Sequence, residues 1–158
     1  MITLSEIIRA DIDDVDAWMN TLSQELSALE PIQRAQHQGE IHRVLAELTR
    51  EQDELTIRSG ELGLLRALAD RIRDSAECQY QEKYQKALLN AALNAEKYPN
   101  QETQKAHASD ESFQEFRRLK AVESMLRMIQ KMRSDLWKRL QALREMGQNA
   151  RAEAYSTR

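Results

Sequence analysis

Four glycines and two prolines stand in 158 residues, and between them apolar side chains recur every third or fourth position. A chain with so few breakers and such regular apolar spacing has one ready way to satisfy its backbone, the α-helix. Charged residues make up 31% and aromatics 5%, which leaves a thin core. That balance suits an elongated body better than a compact β or α/β domain. The expected fold is therefore all-α, an elongated helical hairpin or bundle with coiled-coil-like long helices. The length allows one domain or two small helical subdomains. A thin core also leaves room for self-association, although a helical hairpin could bury the same faces alone.

Residues 1–98 read as an acidic helical region. Its first helix, about 3–30, opens at the capping box Thr3-x-x-Glu6. Leu4, Ile7, Ile8, Ile12, Val15, Met19, Leu22, Leu26 and Leu29 form its single apolar stripe. Pro31 ends or kinks it, because Glu30 is pushed away from helical torsions. Two further helices are expected at about 32–58 and 61–96. Ile41, Val44, Leu45, Leu48 and Leu55 carry the first seam, and Leu62, Leu65, Ala69, Ile72 and Ala76 resume it after a slip at Ser59-Gly60. The run Ser59-Gly60-Glu61-Leu62-Gly63 reads as a hinge or tight turn, with a continuous bent helix as the alternative. Residues 99–109 read as a polar loop and the most mobile internal segment. Residues 110–158 read as a long C-terminal helix and tail, capped by Ser109 or Asp110 and about 60 Å long.

Charge is split along the chain. Residues 1–60 hold 12 acidic and 5 basic side chains, a net of −7, and residues 117–151 hold 10 basic and 3 acidic, a net of +7. Such a split points to an anionic partner or to the two halves pairing with each other. Lys120, Arg127, Lys131 and Lys138 fall within about 40° of one another on a helix. Arg117 and Arg139 flank them. The opposite face carries Phe116, Leu119, Val122, Leu126, Ile129, Leu136, Leu140 and Leu143, widened by Met125, Met132 and Met146. Ser124, Ser134 and Gln141 sit beside the basic stripe and could donate to phosphate oxygens. A linear basic ridge suits a phosphate backbone, and equally a solvated face or a set of interhelical ion pairs. Trp137 and Tyr84 stand next to lysines, where packing against a neighbouring helix is the simpler role and base stacking the sharper one.

Legible catalytic chemistry is lacking, so the expectation is a non-enzyme without metal or cofactor. His37, His42 and His107 never take the spacing of a helical metal pair. Asp11, Asp13, Asp14 and Asp16 lack the turn glycine and closing glutamate of a calcium loop and read as a solvated acidic face. There is no phosphate-binding glycine loop or nucleophile elbow. Cys78 stands alone and reads as a small semi-buried residue in a reducing compartment. No signal-peptide pattern opens the chain and no apolar run reaches the roughly 18 residues of a membrane span, so a cytoplasmic location is expected.

In layout the second half resembles the phage recombination mediator family, the UvsY-like proteins. The resemblance lies in the segment Tyr80-Gln81-Glu82-Lys83-Tyr84-Gln85-Lys86, the polar stretch after it, and the Ala108-Ser109-Asp110 step into a last helix. That helix ends in the Lys/Arg-flanked run from Asp135 to Gly147. The resemblance implies binding of single-stranded DNA, assembly as a ring-like homo-oligomer, and help to a RecA-like recombinase in displacing single-strand-binding protein. It also implies DNA contacts just before the variable loop, where Lys83 and Lys86 are the matching residues. The sequence lacks the family's glycine-rich turn and adjacent tyrosine pair at that point. The competing expectation is a non-enzymatic helical interaction module, such as a coiled-coil adaptor or host-factor inhibitor.

Overall fold

The computed structural model describes residues 2–35 and 41–156. Among them are five α-helices and no strand: α1 (Leu4–Arg9), α2 (Val15–Ser27), α3 (Ile41–Leu93), α4 (Gln101–Glu111) and α5 (Phe113–Ser156). The all-α hairpin read from the sequence is the fold. At 1.5 Å per residue α3 is about 80 Å long and α5 about 66 Å.

These two long helices run antiparallel along a common seam. On α3, Leu48, Leu55, Leu62, Ala69 and Ala76 are buried and stand seven residues apart, with Leu65 and Ile72 between them. On α5, Leu119, Leu126 and Leu140 occupy one register, and Val122, Ile129, Leu136 and Leu143 the other. A strict seven-residue repeat keeps such a seam facing its partner only if the helices supercoil left-handedly. Because Leu55 to Leu62 is one full heptad, the seam does not slip at Ser59-Gly60. The hinge reading gives way to its alternative, an uninterrupted helix through Gly60 and Gly63.

The expected first helix is two helices. The Thr3–Glu6 capping box is present, with Glu6 N–H donating to the Thr3 hydroxyl and Thr3 N–H to the Glu6 carboxylate. The Thr3 hydroxyl and N–H hold the Glu6 carboxyl below its ordinary value. But α1 stops at Arg9, Ala10 turns extended, and α2 restarts with Asp14 as N-cap, accepting from Ala17 N–H at 3.0 Å. The break is stabilised from outside. Arg71 donates to the Ala10 carbonyl at 2.7 Å, Ser75 to that of Ile12, and Gln79 to that of Asp13 at 2.9 Å. The Trp18 indole N–H takes the remaining carbonyl, Asp11, at 3.1 Å. A ladder of donors one turn apart on α3 thus replaces the helical hydrogen bonds the linker gives up. Ile7, Ile12 and Val15 stay buried on either side of the break, and α2 then descends along α3 with Leu22 fully buried. It ends at Ser27, ahead of Pro31. Positions 36–40 of the second expected helix, His37 included, lie outside the described residues.

Residues 101–109 of the expected polar loop are helical, as part of α4. Asn100 caps α4 by accepting from Thr103 N–H at 2.9 Å, and Thr103 completes the box. Tyr98 stacks on His107 with ring centroids 4.5 Å apart. Ala108 is fully buried. A one-residue break at Ser112, whose hydroxyl donates back to the Ala108 carbonyl at 2.7 Å, separates α4 from α5. The last helix therefore starts at Phe113, three residues beyond Asp110.

Candidate nucleic-acid interface

Because the seam of α5 is turned onto α3 and α2, the opposite side of the helix is left to solvent. Arg117, Lys120, Arg127, Lys131 and Lys138 all lie on it and are exposed. Lys120 to Lys138 spans about 27 Å of helix axis. Ser124, Ser134 and Gln141 are exposed on the same side. Most of the wide apolar arc opposite, methionines included, packs within the single chain, while Phe116 stays 37% exposed.

The pairing of these cations is local. Lys120 meets Glu123 at 2.8 Å and Lys138 meets Asp135 at 3.9 Å, each three residues away on α5. Arg127 and Lys131 have no ion pair among the described residues. Pairs of this exposed i, i+3 kind contribute roughly 0.3–0.5 kcal/mol, so an incoming phosphate displaces them readily. Arg117 lies over the Phe113 ring at 5.9 Å and Lys120 over Phe116 at 5.4 Å.

Not every expected contact joins the ridge. Arg139 turns inward to Glu51 on α3, with Nε 2.6 Å from Oε1, and is removed from the solvent stripe. Its neighbour in function is Arg118, which pairs with Asp16 of α2 at 2.7 Å. Lys83 and Lys86 are exposed, but on α3 beside His107 and Glu111 of α4, apart from the α5 stripe. Tyr84 is half-buried and stacks toward Tyr80, which in turn meets Phe116 at 5.6 Å.

Two expectations change. Trp137 is not buried against a neighbouring helix: it is 54% exposed at the edge between α5 and α3, with the Arg144 guanidinium 5.8 Å from its ring centre. Cys78 is exposed, and the adjacent Glu82 carboxylate raises its pKa by charge and by a hydrogen bond. Sequence spacing also missed a cleft of about 750 Å³ between α3, α5 and residues 29–35. Leu55, Leu62, Leu136, Leu143 and Met146 line it, with Arg58 and the Glu51–Arg139 pair among its polar groups. The apolar spacing of each helix was visible, but not the gap between them.

Among the described residues no group of three His, Cys, Asp or Glu side chains could hold a metal ion. None of the described helices is long and apolar enough to cross a membrane. The chain matches no protein-family model, no curated protein and no solved structure.

Proposed function

We propose that this protein binds single-stranded DNA along the outer side of α5 and acts without catalysis, as a mediator that loads a recombinase of the RecA type. One observation carries the binding step: the cations Lys120, Arg127, Lys131 and Lys138 stand on one open helix face, and among the described residues no carboxylate of the N-terminal half is paired with them. A row of mobile cations with hydroxyl and amide neighbours gains affinity for a polyanion by releasing its counterions. The mediator role is what the UvsY-like layout of the second half adds.

The test is direct. Lys120→Ala, Arg127→Ala, Lys131→Ala and Lys138→Ala in one chain should abolish retardation of a 20-nucleotide oligomer at low salt. All four sites are exposed, so helical circular dichroism should be unchanged. Undiminished binding in that variant would take the ridge out of the mechanism. The mediator step is read by adding the protein to a recombinase and an oligonucleotide coated with single-strand-binding protein, where it should shorten the lag before filament formation.

A second reading is favoured by the cleft between α3 and α5. Its apolar floor beside buried charge suits a protein ligand, as an interaction module would require. No retardation of any oligonucleotide at low salt would move the assignment to that reading.

A further inference from the structure

Arg133 occupies a position where the seam calls for a leucine. It stands midway between Leu126 and Leu140, seven residues from each, and is half-buried. No ion pair reaches it among the described residues. None of its guanidinium nitrogens is cut off from water, so its stem lies along the seam while the head group reaches the edge, where an anion can meet it. The space beside it is a notch of about 410 Å³ at the α3–α5 edge, lined by Ser59 and Arg66 of α3 and by Gln130, Arg133, Ser134 and Trp137 of α5. Small-ligand pockets occupy roughly 300–1,000 Å³. Arg66 is held only loosely, 3.7 Å from Asp70. Trp137 presents an exposed indole at the rim, with Arg144 over it at 5.8 Å. Ser134 belongs both to this notch and to the solvent side that carries Lys131 and Lys138.

We infer that this notch takes one nucleotide of a bound single strand, with its base stacked on Trp137 and its phosphate held between Arg66 and Arg133. The inference rests on the reading of α5 as a single-strand binder and gives that reading its selectivity. A backbone following Lys131 and Lys138 can turn a base sideways into the notch only if the base is unpaired. Planar, forked guanidinium groups suit the phosphate better than lysines would. Any of the four bases offers a face to the indole, so the notch selects single strands and not a sequence.

The experiment compares two 20-mers of equal charge, oligothymidylate and an abasic deoxyribose-phosphate strand, on the full chain. The wild-type protein should bind the abasic strand about tenfold more weakly, because one stacked base is lost. Trp137→Ala should erase that difference, and Trp137→Phe should keep most of it. Arg133→Leu restores the heptad and so keeps the fold. It should lower the salt dependence of binding by about one single-strand phosphate contact, a slope change of about 0.7. Equal wild-type affinity for the two strands, both bound tightly, overturns the notch and leaves the ridge standing. Absence of binding to either strand at low salt overturns the ridge reading and the notch with it.

Discussion

Arg139 and Glu51 show how one side chain changes meaning with its partner. The Glu51 side chain is 5% exposed, on a seam of leucines, and receives both Arg139 and the Ala35 backbone N–H. Arg139→Leu alone strands that carboxylate in an apolar setting and should cost about 3 kcal/mol of unfolding free energy. Adding Glu51→Leu should recover most of the loss, since a leucine at 51 joins the row of Leu65 and Ile72 and one at 139 stands between Met132 and Met146 on the flank of the seam. Urea titration of the two single variants and the double variant reads this, and a double variant no more stable than Arg139→Leu would refute it. From spacing alone Arg139 joined the ridge, because its partner lies 88 residues away and no helical wheel contains it. Lys120, Arg127, Lys131 and Lys138 were legible for the opposite reason: their surroundings are their own helix and water. The notch around Arg133 and Trp137 needed both helices placed before it existed at all.

At the scale of elements, intervals and caps were readable where the helix itself supplied the signal. The Thr3–Glu6 box and the α5 stripe are of that kind. The break at residues 10–14 is not, because Ile7, Ile12 and Val15 keep an apolar rhythm across it while Arg71, Ser75 and Gln79 satisfy its carbonyls from α3. Likewise α4 has almost no apolar stripe, and is held by the Asn100 cap, the Tyr98–His107 stack and buried Ala108. The glycines of α3 misled in the other direction. A Cβ added at Gly60 or Gly63 meets nothing within 4 Å, and neither backbone departs from helix. Neither glycine is therefore required by a turn or a close approach. Gly60→Ala and Gly63→Ala should each raise stability by about 1 kcal/mol through the unfolded chain's lost freedom and better helix propensity. Chemical denaturation of the single and paired variants measures it, and a loss of stability at either site would restore the hinge.

The polarity of the whole molecule, −7 over residues 1–60 and +7 over 117–151, has two possible physical uses, and they respond to salt differently. If the halves were held together by charge, unfolding free energy and ligand affinity would weaken together as ions were added. The pairs along α3, such as Arg43–Glu47, Arg50–Glu54 and Arg66–Asp70, stay within a turn of one another. Asp16–Arg118 and Glu51–Arg139 do cross to the last helix, but the second is largely withdrawn from solvent and so poorly screened. Arg133 apart, the rest of the seam that joins α3 to α5 is apolar, and burial of that kind does not weaken with sodium chloride. Screening also relieves the like-charge repulsion inside each half, offsetting what the exposed pairs lose. Between 50 and 200 mM salt the unfolding free energy should therefore move by no more than about 1 kcal/mol. Single-strand affinity has no such offset: four phosphate contacts give a slope near −2.8, a fall of roughly fifty-fold over the same interval. Divergence of the two curves assigns the surplus positive charge to an external polyanion. Parallel decline would mean that the acidic arm already occupies the face on which the strand is supposed to lie.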